Sequence, residues 1–203
     1  MFITFEGGEG AGKSTQVKRA AERLRALGRE VAETREPGGT AEAEAVRALL
    51  VSGDTARWTP QAEALLNYAA RDSHLNEVIR PALKRGAVVI CDRFMDSTRA
   101  YQGYAGGCNM DFIDALEHGI IGPTRPDVTL IFDLDPEVGL ARAKARADAK
   151  AEDRYERKGL AFHQLLRDGF LDIARKDPAR CRLIDASRDV DSVAEQVWRI
   201  IHG

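Results

Sequence analysis

Apolar positions along the chain follow two rhythms: short unbroken runs, and longer stretches in which they return every three or four residues. The unbroken runs predict buried strands. Phe2-Ile3-Thr4-Phe5, Ala87-Val88-Val89-Ile90-Cys91 and Val128-Thr129-Leu130-Ile131-Phe132 are rich in the β-branched and aromatic side chains that pack well on a pleated surface. Arg29 to Thr34 is a weaker, half-polar strand, and Arg182-Leu183-Ile184 a short final one. Between them the helical rhythm takes over. Val17, Ala20, Ala21, Leu24 and Leu27 share one helical face until Gly28 stops it, and Thr40 is placed to cap a helix over residues 41–51. Residues 58–84 carry a long helical pattern, read as two helices with Pro60 near the first position, and residues 189–201 form a last amphipathic helix. Five strands alternating with helices predict an α/β fold, a parallel sheet covered on both faces.

Composition narrows the class without choosing a function. At 203 residues, 44% apolar and 31% charged, the chain suits one ordinary globular domain with a proper core. A formal charge of −2 argues against a dedicated nucleic-acid binder. Cys91, Cys108 and Cys181 show no metal-ligand spacing, and an odd count suits a reducing compartment. No apolar run approaches the ~18 residues of a membrane span, so a cytoplasmic location is expected.

The candidate chemistry begins after the first strand. Gly7-Gly8-Glu9-Gly10-Ala11-Gly12-Lys13-Ser14-Thr15 fits G-x-x-x-x-G-K-[ST], with a strand before it and a helix after it. Glycines let successive backbone N–H groups turn toward phosphate oxygens. Lys13 reaches for the β- and γ-phosphates, Ser14 offers a hydroxyl to Mg²⁺, and the helix start adds its positive dipole end. The motif predicts a P-loop NTPase fold that binds ATP through Gly7 to Thr15.

Ligands of open parallel sheets gather at the carboxyl ends of the strands. Asp92 stands there as a candidate carboxylate for hydrated Mg²⁺, the expected cofactor. Arg93 beside it suits the phosphate of a phosphoryl acceptor, a bidentate task at which lysine is poorer. The P-loop has no arginine of its own, so transition-state charge calls for a cation from elsewhere. Arg142, Arg146 and Arg154 lie in a basic helix-forming stretch, predicted to be a small mobile lid over about residues 142–156.

These segments together resemble the thymidylate kinases, in the bacterial type whose arginines sit on the lid. The likeness rests on Gly8 to Thr15, Thr34-Arg35-Glu36-Pro37-Gly38-Gly39-Thr40, Tyr68-Ala69-Ala70-Arg71, Asp92-Arg93-Phe94 and Ser97-Thr98-Arg99-Ala100-Tyr101-Gln102, and spans nearly the whole chain. It implies a single P-loop nucleoside monophosphate kinase domain over residues 1–203 that moves the γ-phosphoryl group of ATP to dTMP, giving ADP and dTDP. It implies Glu9 facing the acceptor sugar, Arg71 on the thymine carbonyl, Thr98 along the base edge, Arg93 on the acceptor phosphate and Tyr101 under the deoxyribose. Pro37, Ser97 and Gln102 complete the acceptor wall, and Lys13, Arg93, Arg142, Arg146 and Arg154 are the candidate catalytic cations. A homodimer is also implied.

The chain departs from the family pattern at Asn67, where relatives carry a phenylalanine that stacks on thymine. The loss should weaken dTMP binding or move the stacking to Tyr68, since a base–aromatic stack is worth ~1 kcal/mol or more. Lys144 also stands where relatives often carry arginine. On the residues alone, a kinase for another nucleoside monophosphate and a P-loop switch or motor ATPase remain open alternatives.

Overall fold

The computed structural model describes residues 1–146, without the Arg146 side chain, and 153–202. Five strands, β1 (Phe2–Gly7), β2 (Val31–Arg35), β3 (Val88–Asp92), β4 (Val128–Asp133) and β5 (Cys181–Asp185), form one parallel sheet in the order β2-β3-β1-β4-β5. All five lie where the apolar runs predict them, with ends shifted by a residue or two. β1 is central, between β3 and β4, so the loop that leaves it opens into the crevice where the strand order reverses.

Alternation along β1 explains the layers. Ile3 and Phe5 point to one face and meet Val17, Ala20 and Leu24 of α1 (Lys13–Ala26) and Val193, Val197 and Ile201 of the last helix (Val190–His202). Phe2 points to the other face, with Val89 and Cys91 of β3, against Ala64 and Tyr68 of α3 (Pro60–His74), Leu75, Ile79 and Phe94. Burying each large apolar side chain contributes roughly 1.5–3 kcal/mol. Thr4, also on this second face, pairs with Thr129 of β4 through their hydroxyls at 2.8 Å, so the polar atoms buried in the sheet are satisfied.

Helix starts follow local chemistry. Thr40 accepts from Ala43 N–H at the head of α2 (Ala41–Val51), and Thr59 does the same for Ala62 N–H before Pro60 at the head of α3. Of the two helices expected over residues 58–84, the first is α3. It runs through a wide turn over Leu75–Ile79 directly into α4 (Arg80–Lys84). Tertiary burial of Leu75 and Ile79 keeps this stretch helical across Pro81, which falls within the first two positions of α4.

The sequence reading left several helical segments unassigned. α5 (Met95–Thr98) continues into a wide turn over Arg99–Tyr104, and α6 (Met110–Leu116) follows, whereas α7 (Pro136–Arg146) contains the start of the basic stretch expected to be helical. α8 (Leu160–Lys176) packs Leu166, Phe170 and Ile173 against Ile131 and Tyr101. The last helix, Val190–His202, is α9. Among the described residues no helix is long and apolar enough to cross a membrane.

Candidate active site

The carboxyl ends of β1, β3 and β4 deliver Gly7, Asp92 and Asp133 to one edge of the sheet, the register pairing Phe5 with Asp92 and Gly7 with Phe132. After Gly7 the chain turns through Gly10 at φ 68° and Gly12 at φ 83°, left-handed values that favour glycine. Gly10 is also tight against its neighbour: a Cβ there would lie 2.0 Å from the Gly139 carbonyl oxygen on α7. Gly12 supplies no side-chain cap, which leaves the first N–H groups of α1 open to an anion. Lys13 folds back onto the loop, donating to Gly7 O at 3.0 Å and Gly8 O at 2.8 Å. Burial, followed by the neighbouring charge of Arg93, brings its ammonium down to about 8. Ser14 Oγ donates to Asp92 Oδ2 at 2.5 Å, so the two oxygen groups expected at a metal do meet.

Arg93 is the hinge of the arrangement. Among the described residues it is the one non-glycine with positive φ, at 70°, a conformation that costs free energy and is held by its surroundings. Its N–H donates to Phe5 O, and the next N–H, of Phe94, donates to Glu6 Oε1 at 2.8 Å. The side chain then points at the P-loop: Nη1 donates to Gly7 O at 2.9 Å and to Ser97 Oγ at 3.3 Å, and Nη2 donates to Glu9 Oε1 at 3.0 Å. Tyr101 OH donates to the same Glu9 oxygen at 2.6 Å, and the guanidinium lies 4.9 Å from the Tyr101 ring. Burial would raise the Glu9 pKa, but Arg93, Lys13 and the tyrosine hydroxyl overcome it and hold the carboxyl at about 2. Glu6, buried beneath, goes the other way: burial and the Asp96 charge push it up to about 7.

Beside this cluster opens a cavity of about 650 Å³, partly open to solvent. Glu9, Pro37, Asn67, Arg93, Ser97, Thr98, Tyr101 and Gln102, all predicted from sequence, line it. A second cavity of about 630 Å³ runs along the P-loop and Asp92 and shares Glu9, Glu36, Arg47 and Arg93 with the first. The two spaces therefore meet at Arg93, which suits phosphate-to-phosphate contact. A third hollow, outside Gly10 and Gly12, is walled by Arg142, Arg188 and Asp189.

Arg71 sits one layer behind the first cavity. Its Nε donates to Glu36 Oε2 at 2.7 Å and its Nη2 to Phe94 O at 3.0 Å and Thr98 Oγ1 at 3.2 Å, while Nη1 is buried without a partner among the described residues. Glu36 in turn bonds His74 Nδ1 at 2.9 Å. An orphaned buried donor calls for an acceptor, and a base carbonyl is one. Asn67 Nδ2 donates to Glu63 O at 2.8 Å. Tyr68 does not replace the missing aromatic: it is fully buried, with the Arg71 guanidinium 4.5 Å from its ring, so no base reaches it.

Arg142 and Arg154 do not converge. Arg142 Nη1 donates to Ala186 O at 3.2 Å, in the third hollow. The expectation that Arg154 offers a free cation does not hold in this structure. It is fully buried and spends its donors on Leu50 O, Asp54 O, Thr55 O and Glu63. The Arg146 side chain and residues 147–152 of the predicted lid lie outside the described residues. Glu36, Arg47, Leu50, Val51, Tyr155 and Glu156 line the first cavity without having been singled out. Of these only Glu36 stood inside a quoted motif.

With this geometry in view, similarity to known proteins is informative. The chain matches the family model for thymidylate kinase over residues 5–197. The chain belongs to the thymidylate kinase family. It is 56% identical to the thymidylate kinase of Caulobacter vibrioides over 201 residues, covering 99% of this chain and 95% of that one. It is 53% identical over 197 residues to that of Bradyrhizobium diazoefficiens, covering 97% and 86%. The crystal structure of thymidylate kinase from Ehrlichia chaffeensis superposes with a TM-score of 0.80 at 38% identity, over 100% of this chain and 98% of that one.

Proposed function

We infer that this chain is an ATP-dependent dTMP kinase in which the P-loop takes the donor triphosphate and the 650 Å³ cavity takes dTMP. Family membership carries the reaction, and the observation that carries the site is the meeting of two cavities at Arg93. The acceptor is already an anion, so no general base is needed: positioning and charge neutralisation do the work. Arg93 would leave the Gly7 carbonyl and Glu9 to take the acceptor phosphate, a group with which it forms stronger, paired hydrogen bonds. Glu9, held ionised, would then accept from the 3′-hydroxyl of the acceptor sugar. Tyr101 beside it fills the space a 2′-hydroxyl would occupy, which is specificity by exclusion. Thr98 and the free Nη1 of Arg71 would read the base edge.

Lys13 neutralises the β- and γ-phosphates. Ser14 and Asp92 would hold Mg²⁺, and their hard oxygens fit a cation that draws its remaining ligands from phosphate and water. When bound, the metal supplies charge stabilisation to the donor phosphates. Arg142, against the third hollow, suits the donor base rather than the transferring group, which leaves Arg146 as the lid cation with that task. The 142–156 stretch acting as a lid, the homodimer and a cytoplasmic location belong to this proposal; the family resemblance supports the lid and the dimer, and cysteine usage supports a reducing compartment.

A coupled assay with dTMP, dUMP, dCMP, dGMP and AMP as acceptors tests the reading. Fastest ADP release with dTMP is expected. Turnover on AMP with none on dTMP would refute it.

A further inference from the structure

Glu63, in the first turn of α3, is a buried acid that does not line any of the cavities described above. Its Oε1 accepts from Arg154 Nη2 at 2.5 Å and lies 3.6 Å from Lys158 Nζ. Its Oε2 accepts from Gln102 Nε2 at 2.8 Å and from Tyr155 OH at 3.1 Å. Three separate parts of the chain therefore converge on one carboxylate: α3, the turn carrying Tyr101 and Gln102, and the segment 153–158. Buried ion pairs of this kind are weak evidence for net stability, and their clearest use is to fix one arrangement among several.

The arrangement being fixed is the acceptor cavity. Arg154 N–H donates to Val51 O at 3.3 Å, and its guanidinium donates to the carbonyls of Leu50, Asp54 and Thr55, so the segment is docked on the end of α2. Leu50 and Val51 from that docking surface, Tyr155 and Glu156 from the docked segment, and Gln102 all line the cavity. The Tyr155 ring meets Tyr101 edge-on at 5.3 Å. Tyr155 is thus a wall residue whose hydroxyl reaches into the Glu63 network.

We propose that Glu63 is a positioning residue for the acceptor nucleotide: it seats the segment 153–158 and Gln102 as one wall of the dTMP cavity while contacting neither nucleotide. The proposal rests on the acceptor-cavity reading above. The test is steady-state kinetics of Glu63→Gln, which keeps shape and removes charge, and of Tyr155→Phe, which removes only the hydroxyl that bonds Glu63. Glu63→Gln is expected to raise the dTMP KM about tenfold with the ATP KM unchanged, and Tyr155→Phe about threefold. The double variant should be little worse than Glu63→Gln alone, because both act through one network. A folded Glu63→Gln with unchanged dTMP KM, or with both KM values raised alike, overturns the proposal. Should Glu63→Gln fail to fold, an unchanged dTMP KM in Tyr155→Phe overturns it and a selective rise supports it. Thr98→Val separates the two levels: if it too leaves the dTMP KM unchanged, the cavity reading is what fails.

Discussion

The donor and acceptor sides proposed for this site are built from different materials. The donor side is a single loop of backbone N–H groups with one lysine and one serine, contributed by Gly7 to Thr15 after β1. The acceptor side is made of side chains already bonded to one another: Arg93 to Glu9, Tyr101 to Glu9, Arg71 to Glu36 and Thr98, and Glu63 to Arg154. A phosphate tail is recognised by local geometry, which a short motif encodes. A particular deoxynucleotide is recognised by a pocket, which only the assembled fold encodes. The donor side should therefore tolerate change at side chains that do not touch the loop, and the acceptor side should weaken wherever one bond of the mesh is removed.

The sharpest way to separate the two sides is Arg93→Ala. Loss of the cation at the junction is expected to lower kcat by about a thousandfold or more, with ATP binding retained. Stopped-flow turnover and an ATP titration on the same variant check it, and loss of ATP binding would erase the distinction.

Glu6 probes the foundation under the acceptor side. It is fully buried, accepts from Phe94 N–H and from Ser97 OH at 2.5 Å, and is raised to about 7 from an ordinary 4.5 by burial and Asp96. A carboxyl whose folded pKa is raised stabilises the fold below its unfolded pKa, and that stabilisation is lost as pH rises through the folded value. Urea denaturation should therefore show wild type losing roughly 3 kcal/mol relative to Glu6→Gln between pH 4.5 and 8. A pH-independent difference would mean that the Glu6 carboxyl titrates alike in the folded and unfolded chain.

Gly139→Ala perturbs the donor side from outside the loop. A Cβ at Gly139 would lie 2.4 Å from the Glu9 carbonyl oxygen, so the P-loop or α7 must shift. The ATP KM should rise about tenfold and the dTMP KM by less. The smallest effect is expected from Asn67→Phe, which returns an aromatic face to the cavity and should tighten dTMP by a few-fold, about 1 kcal/mol, leaving ATP unchanged.

The same contrast explains what could be read in advance. All five strands and the P-loop were legible because strand burial and phosphate binding depend on neighbours in sequence. Asp92 and Arg93 were legible because a polar pair ending an apolar run stands out. Glu63, Arg47 and Tyr155 were not: they look like ordinary helix-surface or loop residues until α2, α3 and residues 153–158 come together. The burial of Arg154 was not legible for the same reason, since nothing local distinguishes a free lid cation from one buried against three carbonyls and a carboxylate. Tyr68 looked available beside Asn67, but helical geometry turns adjacent residues to different faces, and this one faces the core.

Equilibrium titration of dTMP and of an ATP analogue against wild type and Thr98→Val measures the division between the two sides most directly. This division predicts weaker dTMP binding in the variant and the same affinity for the ATP analogue. Unchanged dTMP affinity, or a parallel loss for both nucleotides, would contradict it.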